Sequence, residues 1–142
     1  MTYRLIYSSE ATAEMARTDL EQMLTESRLR NVKRGITGVL VFSDGVFLQV
    51  LEGERDDVED LMVSLRRDPR HRNLKVLHEE EIDRRVFPTW KMACLSPRAE
   101  EVSAWAGLEG ATSIESVLAT LRENPDRVPR ILTGLVEALA KQ

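Results

Sequence analysis

Two apolar runs early in the chain, Ile36–Phe42 and Val46–Leu51, are separated only by Ser43-Asp44-Gly45. Asp-Gly between hydrophobic runs predicts a β-hairpin with a tight turn. Within the second run, Val46-Phe47-Leu48-Gln49-Val50-Leu51, alternation sends Phe47, Gln49 and Leu51 to one face and Val46, Leu48 and Val50 to the other. Both faces are apolar but for Gln49, which predicts a strand buried on both sides. An amide buried without partners costs about 1–3 kcal/mol. Gln49 therefore requires a polar neighbour.

The flanking segments alternate between the two periods. Arg4-Leu5-Ile6-Tyr7-Ser8 reads as a short strand with Tyr3, Leu5 and Tyr7 on one face, broken over Ser9 to Thr12. Thr18-Asp19-Leu20-Glu21 has the form of a capping box and opens a helix to about Arg30. Its inward stripe is Leu20, Met23, Leu24, Ser27 and Asn31. Two of those five are polar. Asn31 then has two readings, a polar group facing the sheet or a cap at the helix end before Gly35. A second stripe, Val58, Leu61, Met62 and Leu65, follows an acidic start and stops before Pro69. Leu74–His78 and Thr89–Leu95 read as further strands, the last with Trp90, Met92 and Cys94 on one face. The order is β-α-β-β-α-β-β. This predicts an α+β fold, a ferredoxin-like sandwich with one extra strand and two helices over one face of a mixed sheet.

From Ser96 the composition shifts to Ala, Glu and Ser, with Pro97, Gly107 and Gly110 as breakers. Thr112-Ser113-Ile114-Glu115 offers another capping box, and the stripes Ile114, Val117, Leu118, Leu121 and Val128, Ile131, Leu132, Leu135, Val136, Leu139 flank Asn124-Pro125. A helical hairpin of about 30 residues is too small for its own core. It should cover the open face of the sheet or form an interface with a partner or a second copy. The expected division is residues 1–96 for the sheet domain and 97–142 for the helical extension.

Composition narrows the function. The chain has 142 residues and a net charge of −4, which suits one domain and gives no reason to expect nucleic acid. No apolar run is long enough to cross a membrane, and the start lacks a signal-peptide core, so a cytoplasmic location is expected. The single cysteine, Cys94, excludes an intrachain disulfide. His71 and His78 with one distant cysteine do not make a zinc site, and no metal is expected. Nucleotide-fingerprint, phosphate-loop and hydrolase motifs are absent. Neutral polar groups remain on surfaces that should be buried: Tyr7, Ser27, Asn31, Gln49 and the indole of Trp90. Such a set suits a flat heteroaromatic ligand better than a hydrolytic reaction. The competing reading is a tyrosine and a glutamine satisfied by the backbone.

Five blocks in order carry a resemblance: Arg4-Leu5-Ile6-Tyr7-Ser8-Ser9, Gly35-Ile36-Thr37-Gly38-Val39-Leu40, Phe47-Leu48-Gln49-Val50-Leu51-Glu52-Gly53, Asp68-Pro69-Arg70-His71 and Arg85-Val86-Phe87-Pro88-Thr89-Trp90-Lys91-Met92. Over about Tyr3 to Leu95 the chain resembles a BLUF domain, a blue-light sensor that uses FAD. The resemblance implies that Tyr7 donates an electron and a proton to the excited flavin and that Gln49 bridges Tyr7 to the ring. It implies that Asn31 bonds the polar edge of the ring, that His71 packs near it, and that Ser27 bonds an inward Trp90. Asp68 and Arg70 are further candidates for FAD contacts, and Trp90 and Met92 lie on the segment that would report the switch. Which of those two meets Gln49 stays open. Ser64 stands where some relatives carry a basic residue near the flavin tail, so the tail contacts stay open, with Arg66 and Arg67 as candidates.

The likeness fades after Leu95, which implies a short-type sensor without an enzymatic output domain. Its output would be association with itself, as a homo-oligomer, or with a downstream protein. A flavin monooxygenase or reductase is the alternative of another class, and NADH oxidation above that of free FAD would mark it. A plain ligand-binding or oligomerisation domain is the third, marked by protein that refuses FAD.

Overall fold

The computed structural model describes residues 2–108 and 113–141. Its central turn has the conformation that the Asp-Gly pair dictates: Asp44 and Gly45 both take positive φ, 46° and 77°, as a two-residue turn needs if it is to match the twist of its strands. The turn joins β2 (Thr37–Ser43) to β3 (Val46–Glu54). β1 (Thr2–Ala11) pairs antiparallel with β3 and with β4 (His71–Ile82), and β5 (Ala93–Leu95) lies parallel to β2. The strand order is β4-β1-β3-β2-β5. The first four strands make the ferredoxin-like arrangement and β5 is the extra strand, which gives the expected α+β fold.

Alternation divides the sheet between two cores. On one face Tyr3, Leu5, Tyr7, Phe47 and Leu51 pack with Met23 and Leu24 of α1 (Arg17–Arg34) and Leu61 and Leu65 of α2 (Arg55–Arg67). On the other, Ile6, Val39, Leu48 and Val50 pack with Val102 of α3 (Ala99–Trp105), Leu121 of α4 (Ile114–Glu123) and Leu135 of α5 (Ile131–Ala140). A buried aliphatic or aromatic side chain contributes about 1.5–3 kcal/mol. The C-terminal helices thus cover the second face of the sheet.

Several elements differ in extent from the sequence reading. β1 does not break at Ser9, because Ser9 and Glu10 keep their register with Phe47 and Val46. β4 takes in Glu79 to Glu81, which lie opposite Leu5, Arg4 and Tyr3 of β1. An edge strand tolerates such charge because its outer side meets water. α1 starts at Arg17, where Ala16 N donates to Asp19 Oδ2 at 3.0 Å, so Thr18 is not the cap. The helix runs on to Arg34 and ends at Gly35 with φ 65°, the left-handed exit that glycine favours. Asn31 is therefore inside the helix and is not its cap.

The strand expected over Thr89–Leu95 is only Ala93–Leu95. Pro88 has no N–H for a ladder, and the Gly38 N–H that would extend the pairing donates to Trp90 O at 2.8 Å. A Cβ on Gly38 would lie 1.9 Å from Val50 O of the neighbouring β3, so the close approach of β2 to β3 there requires glycine. Trp90 and Met92 consequently do not share a face by strand alternation. The short α3 escaped the pattern because its inward residues, Ala99 and Ser103 beside Val102, are mostly small or polar. Thr112 lies outside the described residues; Ser113 caps α4, its Oγ accepting from Ser116 N at 3.2 Å.

Candidate functional site

Antiparallel pairing sets Tyr7 of β1 directly opposite Gln49 of β3. Both side chains rise on the face covered by α1 and α2, where Tyr7 is 0% and Gln49 6% exposed. The Tyr7 hydroxyl donates to Gln49 Oε1. Gln49 Nε2 donates in turn to Met92 Sδ at 3.1 Å. The buried amide thus has a partner at each end. Burial raises the pKa of Tyr7, with opposing effects from Arg30, which lowers it, and Asp68, which raises it.

Met92 is buried at 1% exposure whereas Trp90 is 42% exposed. It is Met92 that meets Gln49. Three bonds from other elements hold this stretch: Gly38 N to Trp90 O at 2.8 Å, Asn31 Nδ2 to Lys91 O at 3.3 Å and Arg28 Nε to Met92 O at 3.0 Å. Asn31, 1% exposed, keeps its Oδ1 buried and unpartnered.

Tyr7 and Gln49 form the floor of a cleft between α1 and α2, with Ser27, Arg30, Asp68, Arg70 and His71 on its walls. Ser27 does not reach the outward Trp90 through any hydrogen bond among the described residues. His71 Nδ1 lies 2.8 Å from Ser9 Oγ and its ring centroid 4.8 Å from that of Phe47. Burial lowers its pKa, against the pull of Asp68, which favours the neutral ring. Arg70 is held by Asp68 through Nη2 at 2.7 Å and by Glu26 through Nη1 at 2.9 Å. That bond to Arg70 lowers the pKa of Asp68 against a partial burial penalty. Asp68 and Arg70 therefore satisfy one another at the cleft wall.

Arg30 was not singled out by the sequence, where it reads as helix surface charge. Its Nε is buried without a partner, and burial lowers its pKa, as does neighbouring Arg34. The only signal available was its place one residue before Asn31 on the inward edge of α1.

The donor set fits a flavin. Arg30, which lines the cleft, has an unsatisfied Nε that can donate to a flat ring with acceptors on its edge, and the hydroxyl and amide of Tyr7 and Gln49 lie beneath; Asn31, the next residue of α1, has an unsatisfied Oδ1 but is not among the cleft residues. The walls meet closely, with about 10 Å³ of free space, so the fit rests on these groups and not on a preformed void. A larger groove of about 890 Å³ lies across α1, lined by Leu20, Phe42, Cys94 and Pro97. It is lined by none of Tyr7, Ser27, Arg30, Gln49, Asp68, Arg70 and His71, and it is not the site.

Residues 2–93 match the family described as sensors of blue light using FAD. Over 133 residues the chain is 34% identical to photoactivated adenylate cyclase subunit beta of Euglena gracilis, a match covering 92% of this chain and 15% of that protein. The chain thus spans a small fraction of the length of the curated relatives it matches. Its fold superimposes on the dark-state structure of BlrB, a BLUF protein, with a TM-score of 0.77, 27% identity and 96% of each chain covered. For the ground state of BlsA the TM-score is 0.71, with 32% identity and 87% of each chain covered. Among the described residues no helix is long and apolar enough to cross a membrane. By family profile, sequence and fold, the chain belongs to the BLUF family of blue-light sensors that use FAD.

Proposed function

We propose that this chain is a light-operated hydrogen-bond switch in which Tyr7 is the redox partner of the flavin and Gln49 is the moving part. The observation that carries the reading is the buried chain of bonds from Tyr7 through Gln49 to Met92. FAD, when bound, supplies a chromophore that absorbs blue light and becomes a strong one-electron oxidant. Tyr7 gives up one electron from its ring and the proton on Oη, and recovers both when the pair recombines. No net oxidation remains. A tyrosine is already protonated in the neutral range and burial raises its pKa further, so in the dark the Oη proton of Tyr7 is present to move.

Gln49 has one acceptor end and one donor end. While Tyr7 is oxidised its hydroxyl no longer donates, and the amide is free to exchange the ends, by rotation or by tautomerisation. Either change rewrites its bonds to Tyr7, to the ligand and to Met92 without moving the backbone. The sulfur of Met92 accepts but has no proton to give, so it favours the dark arrangement and opposes the rotated one. Arg30 and Asn31 would hold the polar edge of the ring, His71 would pack beside it, and Ser27, Asp68 and Arg70 would complete the walls.

On this reading residues 1–96 are the sensor and 97–142 the extension that carries the output. The output is a change in association with a second copy or with a downstream protein, in the cytoplasm. These residues perform no catalytic turnover of their own. Visible absorption in darkness, after blue light and during recovery tests the proposal. A flavin spectrum that shifts slightly to the red and returns supports it; FAD that bleaches, or NADH oxidation above that of free FAD, overturns it.

A further inference from the structure

Residues 83–92 join β4 to β5 without belonging to a strand, yet they place Met92 on Gln49. Glu52 holds the front of this segment. It lies on β3 three residues after Gln49, on the opposite face, and is 0% exposed. Its Oε2 accepts from Arg4 Nε at 3.0 Å, Arg4 Nη2 at 2.8 Å and Val86 N at 3.0 Å, and its Oε1 accepts from Phe87 N at 2.8 Å. Both oxygens of the carboxylate are therefore engaged, Oε2 by Arg4 and Val86 and Oε1 by Phe87. Arg85 adds a second tether, its Nη1 donating to Gly35 O at 2.7 Å and Thr37 Oγ1 at 3.0 Å.

The segment also changes sides. Phe87 is packed among the sheet's second face and the C-terminal helices, whereas Met92 is packed in the core that contains Tyr7. A buried ion pair is weak evidence for stability, since apolar groups of the same shape often serve as well. What Glu52 does that an apolar residue cannot is hold two backbone N–H groups where no ladder exists to hold them.

We propose that Glu52 is a positioning residue of the photocycle: through Val86 and Phe87 it fixes the segment that keeps the Met92 sulfur on Gln49, and so sets the lifetime of the switched state. The inference rests on the photoreceptor reading above. Loosening the segment weakens the bias of Met92 against the switched amide, so recovery in darkness slows.

The experiment compares wild type, Glu52→Gln and Arg85→Gln as FAD-loaded full-length proteins. Dark recovery of the absorption shift is followed together with amide hydrogen exchange at Val86 and Phe87. For Glu52→Gln, exchange at both amides accelerates and recovery slows by about fivefold or more; Arg85→Gln slows it in the same direction by less. Recovery within about twofold of wild type in both variants overturns the inference, as does slowed recovery with unchanged exchange at the two amides. If Glu52→Gln does not fold, Arg85→Gln decides by the same criterion. Wild-type protein without a reversible shift removes the photoreceptor reading and this inference together; a normal wild-type cycle with unaffected variants removes this inference alone.

Discussion

Replacing Met92 by Leu isolates the contribution of one sulfur atom. The side chains are close in volume, and a swap of this kind at a buried site costs less than about 1.5 kcal/mol. What is lost is the acceptor 3.1 Å from Gln49 Nε2. A net hydrogen bond contributes about 0.5–1.5 kcal/mol, and a thioether is a weak acceptor, so about 1 kcal/mol is a ceiling for the dark state. In the rotated state the carbonyl oxygen of Gln49 faces that sulfur instead, and leucine removes the repulsion. Both changes act against the return to darkness. If the whole of about 1 kcal/mol enters the recovery barrier, the lit state lives about fivefold longer. The assay is the first-order return of the absorption shift after a blue pulse, with Trp90→Phe as the control. Since Trp90 is 42% exposed, that control should recover within about twofold of wild type. Unchanged recovery in Met92→Leu with a large change in Trp90→Phe would refute the assignment of Met92 to Gln49.

Tyr7→Phe should keep FAD bound yet abolish the light-induced shift, and it should lower the stability of the apoprotein by about 1–3 kcal/mol in urea titrations, because Gln49 Oε1 loses its donor. Asn31→Ala should weaken FAD binding about tenfold by fluorescence titration, as a lost bond of about 1.4 kcal/mol requires; unchanged affinity would leave Asn31 only its hold on Lys91. His71 gives a pH signature. Its folded pKa lies below the ordinary 6.5, chiefly through burial, so its contribution to stability is complete above about 6.5 and is lost as pH falls through the folded value. Melting temperatures between about pH 8 and 5 should fall for wild type, and the part due to His71 should vanish in His71→Gln.

Periodicity was enough for the order of elements as far as β5 and for the partition of β3 between two faces, since alternation depends only on the residue and its neighbours. It placed Gln49 in a buried position and required a partner. The identity of that partner depended on the register between β1 and β3, a long-range property that no local pattern carries. Asn31 carries two readings in the sequence, inward polar group or cap; Gly35, which ends the helix, removes the cap reading and leaves the inward one. Alternation puts Met92 and Trp90 on one strand face, but both precede the short β5, and a single bond from Gly38 N to Trp90 O leaves Trp90 outward and Met92 inward. Glu52 looked like the polar end of an apolar strand. Its four hydrogen bonds come from three residues, Arg4 on β1 and Val86 and Phe87 in a segment more than thirty residues away.

The sheet separates two side-chain compartments that share only backbone, with Gln49 in one and its neighbour Val50 in the other. Substitutions in different compartments without shared partners should add in stability to within about 0.5 kcal/mol. The side of the molecule built from α3, α4 and α5 can therefore be repacked, exchanged or fused to foreign helices while the chemistry beneath α1 and α2 is left alone. Between β4 and β5, Phe87 enters one compartment and Met92 the other, so that segment touches both. A lineage, or a designer, could thus redirect the response to a new partner by rewriting one layer and conserving a single short thread.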